Sequence, residues 1–374
     1  MTSSRDVVII GGGIVGVVTA YLLGKAGIKS VIIERDSVGS HASGFAYGGL
    51  SPLGGHGIPG PIAETAQEGM RLHREFADRL PEETGVNIEF RLRPSLNLAF
   101  TEQEVQHAQA ALAWQQQQPG FSVRWLDAAE AKAVEGRIAD QVLGAVLIDG
   151  TADVEPYRLV LALTRAAENL GVTVRHGNVI GLQRQGERVT GVVLEHGEIA
   201  CGTVVLAVGP WSADTAAWLN IPVEVRPLKG QILRLHAPGP ALQCSIGWGG
   251  NYATTKPDGL LWTGTTEEEA GFNENPTTEG RDQIIASLLN MLPSMTDARL
   301  AQHTACLRPL AADENLLLGP VPDWQGVYMA TGAGRKGILL GPAMGQAIVD
   351  LITQGASKLA IEAFRPDRFA KRPK

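Results

Sequence analysis

Two β-branched runs, "DVVII" and "SVIIE", bracket a longer apolar segment, "IVGVVTAYLLGKAG". Together they predict strand, tight turn, helix and parallel strand, with both strands buried on two faces and Gly27 as the helix stop. "IAETAQEGMRLHREFADRL" continues with a helical period, and "VNIEFRLRPSLNLAFTEQE" reads as strands turning into a helix that reaches Gln115–Gln118. That region lacks strand–helix–strand alternation and reads as an inserted unit. The next helix runs from Pro156 to Leu170, with proline at its start and Gly171 at its end. "TVVLAVGPWS" is a further buried strand that delivers Gly209 to a carboxyl edge, where open α/β sheets bind ligands. From Pro222 to about Leu300 the chain is strand-rich, with one helix near "GRDQIIASLLNML". It closes with the strand "GVYMATG" and the apolar helix "GILLGPAMGQAIVDLITQG". The whole predicts an α/β protein of two interleaved domains, one nucleotide-binding and one a mixed sheet.

At 374 residues the chain can form two or three packed units. A hydrophobic share of 44% and a charged share of 19% place it among ordinary soluble globular proteins, with disorder expected only at ends such as "RFAKRPK". The formal net charge of -7, without Lys/Arg clusters, argues against nucleic acid and for a small polar ligand. Cys201, Cys244 and Cys306 stand too far apart for a disulfide framework or a zinc site, so no metal is expected and a reducing cytoplasm fits. The apolar run from Val7 to Leu23 is weighed as a membrane or signal segment and set aside. It is broken by Gly11, Gly12, Gly13 and Gly16, and neither a basic stretch before it nor a small-residue cleavage site accompanies it.

Those glycines form G-x-G-x-x-G through Gly11, Gly13 and Gly16. The spacing allows a sharp turn, close backbone approach to a pyrophosphate, and tight helix packing at a helix N-terminus that favours negative charge. Glu34, eighteen residues past Gly16, can accept from both hydroxyls of an adenosine ribose. The pattern points to a dinucleotide, the acid disfavours NADP, and NAD and FAD remain open. "GSHASGFAYGGLSPLGG" is small enough to lie against such a ligand.

Several stretches together resemble the D-amino-acid oxidase superfamily of flavoproteins, within it the glycine oxidase branch. They are "VVIIGGGIVG", "VIIERD", "DVEPYRLVLALTRAAENLGV", "VVLAVGPWS", "RPLKGQIL", "CLRPLAADENLLLGP" and "GAGRKGILLGPAMGQAIVDLI", in one order over nearly the whole chain. "TTEEEAGFNENPT" is similar to the flavin subunits of bacterial hydrogen cyanide synthase and hydroxyproline-type dehydrogenases. The resemblance implies FAD, held by a Rossmann-like domain of residues 1–85, 146–222 and 300–374. A mixed-sheet α+β substrate domain of residues 86–145 and 223–299 would roof it. It also implies oxidation of the C–N bond of a small amino acid by hydride transfer to flavin N5, with hydrolysis of the imine. Glycine-like, N-substituted, D-configured and cyclic imino acids are the expected substrates.

Residue by residue, the resemblance puts Gly11, Gly13, Ile14, Val15, Gly16 and Glu34 at the adenosine diphosphate. Arg35, Ser43, Gly48, Gly49 and Leu50 would lie along the pyrophosphate and flavin, and Val179 beside adenine. Gly209 and Trp211 would form the later flavin-side turn. Gly334, Arg335, Gly337, Ile338 and Leu339 would stand beside the pyrimidine end. In the substrate pocket it implies Arg308 on the carboxylate, Tyr252 closing over it, and Arg335 as a second arginine.

Flavin carries the electronic work, so the protein must place substrate and stabilise charge. A helix starting near Gly337 can aim N–H groups at N1 and the C2 carbonyl, and a neutral amine needs no side-chain base. Trp248 and Trp262 are candidates for the pocket wall, with core packing expected of at least one. His41 is read as polar surface and no covalent flavin anchor, and Lys229 and Lys336 as solvated. Ala333 and Gly334 stand where glycine oxidases carry bulkier residues, and Cys306 stands for a glycine, so a substrate larger than glycine is expected. Three rivals stay open: a 2-hydroxy acid dehydrogenase, a flavin subunit passing electrons to a partner, and a non-enzymatic flavin binder. A homo-oligomer or an electron-accepting partner subunit is compatible with all of this.

Overall fold

The computed structural model describes residues 5–370. Its first sheet has eight strands. Arg5–Ile10 lies at the centre, parallel to Ser30–Glu34 on one side and Gly197–Leu206 on the other. Thr173–His176 extends one edge, and Val327–Thr331 pairs parallel with Gly197–Leu206. Val8, Ile9 and Ile32 are fully buried, which is why these strands read as continuous apolar runs. The expected helices follow at Ile14–Lys25, Ile62–Thr84, Pro156–Asn169 and Gly337–Gln354.

The first helix is apolar on every side because it is enclosed. A Cβ at Gly345 would stand 2.7 Å from Val18 Cγ1, and one at Gly341 2.8 Å from Ile14 Cγ2, so two glycines of the last helix let the two helices close together. No described helix is long and apolar enough to cross a membrane.

The second sheet also has eight strands. Its order is Arg299–Ala311, Val225–His236, Leu261–Gly264, Asn251–Thr255, Ser245–Trp248, Ser95–Ala99, Gly144–Asp149 and Ser122–Asp127. Ser95–Ala99 joins Ser245–Trp248 in parallel, so the inserted region is stitched into the later strands. Gly144–Asp149 pairs with two strands of this sheet and Arg299–Ala311 pairs along its length with Val225–His236, so the boundaries expected at 146 and 300 fall inside paired strands. We propose that the chain changes unit after Asp149 and after Ala311, because a cut inside a paired strand would orphan its ladder.

A small third sheet of Gly49–Leu50, Ala152–Asp153 and Arg91–Leu92 sits between the two. Asp153 is buried there and pairs with Arg91 Nη2 at 2.9 Å, Arg93 Nε at 3.2 Å and Lys256 Nζ at 3.1 Å. Burial still pulls Lys256 down to about 8. Part of the expected loose tail is ordered, since Arg368 grips Asp313 at 2.8 Å and Pro366–Phe369 forms a 3-10 turn. Residues 371–374 of "RFAKRPK" lie outside the described residues.

Pro342 lies inside the last helix, and a proline has no N–H to give the carbonyl four residues back, Ile338. His73 Nε2, fully buried on the packed helix Ile62–Thr84, donates to that carbonyl at 2.8 Å. Gly69, one turn earlier, permits the approach, since a Cβ there would stand 2.0 Å from Leu339 O. Burial pushes His73 down to about 4. The unfolded histidine binds its proton near 6.5 and the folded one only near 4, so stability falls as pH drops through that window. In His73→Gln, which keeps a donor for Ile338, the slope of unfolding free energy against pH between those values should flatten by up to about one proton. Urea unfolding at stepped pH measures it.

Candidate active site

A cavity of about 820 Å³ opens between the carboxyl edge of the first sheet and the face of the second. Its floor starts at the glycine turn. Gly11 has φ +106°, and a Cβ there would stand 2.4 Å from Ala207 O. Gly13, Ile14 and Val15 line the cavity beside it, whereas Gly16 does not. Its missing side chain lets the helix sit on the turn, since a Cβ would meet Gly11 O at 2.0 Å. Ser43 Oγ accepts from Ile14 N–H at 3.0 Å, and Glu34 accepts from Gly12 N–H at 2.6 Å and Asp36 N–H at 2.8 Å. Both side chains line the cavity and retain lone pairs for a ligand hydroxyl.

Towards the outer end, the Arg35 guanidinium lies 4.5 Å over Trp211, and Phe272 stacks on the same indole at 5.9 Å. His41 meets Trp211 edge-on at 4.8 Å and lies between Asp36 at 2.8 Å and Glu274 at 3.3 Å. It belongs to this cluster and is not the plain surface histidine expected. Val179 and Gly209 line the same end. Deeper in are Gly48, Gly49 and Leu50. Gly48 has φ +78° and a Cβ there would stand 2.3 Å from Val154 O, so the chain crosses the cavity wall as bare backbone.

Gly334, Gly337, Ile338 and Leu339 border the far wall where the last helix begins. No side chain caps that N-terminus, so its first N–H groups are free to meet an acceptor. Lys336 is half-buried, not solvated as expected. It donates to Ser51 O at 3.0 Å, burial pulls it down to about 8, and no described carboxylate comes within ion-pair reach. Lys229 also departs from expectation, being buried and paired with Glu268 at 3.2 Å.

On the second-sheet side, the two expected arginines part company. Arg308 donates from Nη1 to Thr266 O at 3.1 Å and from Nη2 to Thr265 Oγ1 at 2.6 Å, half-buried and without a carboxylate partner among the described residues. Arg335 also lines the cavity, but Glu267 clasps it from both oxygens and Glu314 meets Nη1 at 2.8 Å. It stands at the pocket as expected of a second arginine, but two carboxylates already neutralise it.

Tyr252 stacks on Tyr47, centroids 3.9 Å apart, and its hydroxyl is buried without a hydrogen-bond partner among the described residues. Burial raises Tyr252 well above the usual phenol value and Tyr47 to about 12, so both stay neutral donors. Trp248 lines the cavity, donating to Glu104 at 2.8 Å. Trp262 is core, donating to Asp258 at 3.0 Å under Arg234. Sequence reasoning missed Tyr47 and Thr265. Tyr47 carried a signal as the aromatic hydroxyl directly before the glycine pair of "GFAYGGL".

Bare backbone, two uncapped or loosely held helix starts, and cations lacking carboxylate partners suit an elongated anionic ligand. The family of FAD dependent oxidoreductases matches over residues 6–351. The chain belongs to it. This flavoenzyme is 31% identical to glycine oxidase of Pseudomonas putida over 354 residues, covering 94% of this chain and 95% of that one. It is 27% identical to hydrogen cyanide synthase subunit HcnC of Pseudomonas aeruginosa over 412 residues, covering 100% and 98%. The crystal structure of glycine oxidase from Geobacillus kaustophilus matches with a TM-score of 0.93 at 27% identity, covering 98% of this chain and all of that one. The flavoenzyme's cofactor is FAD, and the glycine turn, Glu34 and the bare strand at Gly48 fit a dinucleotide that needs close backbone approach. Gly11→Ala should abolish flavin retention, because its Cβ meets backbone that cannot yield. Gly27→Ala, at φ +76° with nothing nearby, costs only about 1–2 kcal/mol and should keep FAD. The flavin-to-protein absorbance ratio after purification checks both.

Proposed function

We propose that this flavoenzyme oxidises the C–N bond of a small amino acid, with Arg308 holding the substrate carboxylate. One observation carries the reading: a half-buried guanidinium faces the cavity with no carboxylate of its own, while its neighbour Arg335 has two. A planar fork of that kind matches a carboxylate bidentately and fixes two atoms of a small substrate at once. Bound FAD supplies a two-electron acceptor for the Cα–H.

The chain's own groups complete the task by positioning. Tyr252 offers a neutral buried hydroxyl, and Thr265 and Thr266 fix the guanidinium. The substrate loses a hydride from Cα and a proton from nitrogen, and water then splits the imine into an oxo acid and an amine or ammonia. A 2-hydroxy acid would need a base beside the hydroxyl. Glu267, in electrostatic reach of Arg308, is held low by Arg335, and Asp153 carries three cations, so neither is poised as a base.

Ala333 and Gly334 leave small residues on the wall near Arg308, which favours N-substituted, D-configured or cyclic imino acids over glycine. The likeness to a hydrogen cyanide synthase subunit supports a version in which electrons pass to a partner, and absent peroxide under air would favour it. Three buried unpaired cysteines suit a reducing compartment such as the cytoplasm.

In an anaerobic screen of small amino acids following flavin bleaching, at least one should reduce the enzyme. Arg308→Ala should raise its KM by about 100-fold or abolish turnover while FAD stays bound, since an unpaired charged group costs about 2–5 kcal/mol. Unchanged kinetics would sink the assignment.

A further inference from the structure

The stretch "RPLKGQIL" lies outside the roles assigned so far, yet it runs directly beneath Arg308. Strand Val225–His236 pairs Leu228 with Arg308 and Gly230 with Cys306. Gly230 is therefore the diagonal neighbour of Arg308 on the same face of the sheet. A Cβ at Gly230 would stand 2.0 Å from Nη2, 2.3 Å from Cζ and 2.5 Å from Nη1 of Arg308, and these are its three nearest atoms. The backbone at Gly230 is not left-handed, so its conformation would accept alanine. The first obstacle a side chain there would meet is the guanidinium.

The flanking residues hold the other walls. Gln231, fully buried, donates its N–H to Thr266 Oγ1 at 3.1 Å, and its carbonyl accepts from Thr265 Oγ1 at 3.0 Å. Lys229 and Glu268 exchange backbone hydrogen bonds at 3.0 Å in each direction. One three-residue segment thus provides a bare floor for the guanidinium and fixes the two threonines that bind its edge.

We propose that Gly230 is the positioning residue of the carboxylate site, setting how Arg308 is presented to the cavity. This rests on the reading of Arg308 as the carboxylate holder. An added methyl meets the far end of a flexible side chain, so the guanidinium moves and the strand stays. The effect falls on carboxylate recognition and not on folding.

The test uses the FAD-loaded protein as wild type, Gly230→Ala, Arg308→Ala and the double variant. Acetate binding is read by calorimetry, beside flavin content and unfolding midpoint. Gly230→Ala should keep FAD and its midpoint yet weaken acetate by at least about tenfold, as misplacement of a binding group does. The double variant should be no weaker than Arg308→Ala. Unchanged acetate affinity in Gly230→Ala beside weakened binding in Arg308→Ala overturns the proposal alone. Additive losses in the double variant do the same. Undiminished binding in Arg308→Ala overturns the carboxylate reading itself, and this proposal with it. Should Gly230→Ala fail to fold, recovery of folding by adding Arg308→Ala supports the proposal, and failure to recover overturns it.

Discussion

Asp153 answers three cations that arrive from two directions, Arg91 from the small sheet and Arg93 and Lys256 from the approaches to the second. Its strand also pairs with Gly49–Leu50, which lines the cavity, and Val154 N–H donates to Gly48 O at 2.9 Å. The segment that crosses the cavity wall and the sheet that roofs it are thus tied to one carboxylate. Buried charges are costly unless paired, so this junction holds its shape by the penalty of coming apart more than by the attraction it supplies. The cavity keeps its width because neither wall can shift without stranding at least one buried charge.

Around that frame the cavity separates cations by their company. Arg335 is neutralised on the spot, whereas Arg308 and Lys336 find only hydroxyl or carbonyl oxygens. Positive charge without a carboxylate partner among the described residues therefore appears at two places, beside the start of the last helix and on the second-sheet wall. Selective neutralisation lets an FAD-dependent enzyme draw negative groups to chosen spots without a field that is positive everywhere.

How much of this could be read from the chain depended on whether a feature is local. The first strand, glycine turn and helix were legible because their spacing dictates their geometry within about thirty residues. Gly16 was assigned to helix packing from spacing, and the contact with Gly11 O bears out that physical role. Arg308 was visible through its setting in "CLRP" and the family likeness. The fate of Arg335 was not, because Glu267 reaches it from 68 residues away and side-chain pairing over that span leaves no periodic trace. Lys229 and Lys336 misled for a related reason: lysine is rarely buried, so composition argues for solvent until a partner or a carbonyl is seen. The boundaries expected at 146 and 300 fall inside the strands Gly144–Asp149 and Arg299–Ala311, since alternation shows a strand and not its sheet.

The stack at the outer end joins Arg35 from the first strand–helix unit, Trp211 from the turn after a later strand, and Phe272 from the second-sheet side. His41 lies edge-on to the same indole and bridges Asp36 to Glu274, so the cluster ties the first-sheet loops to the second-sheet side at one end of the cavity. A ligand end lying under this cluster would be released no faster than the cluster parts, so an opening equilibrium would add to its own contacts in setting its residence time. Retention of a bound group would then draw on three aromatic and cationic side chains that need never touch the reacting carbon.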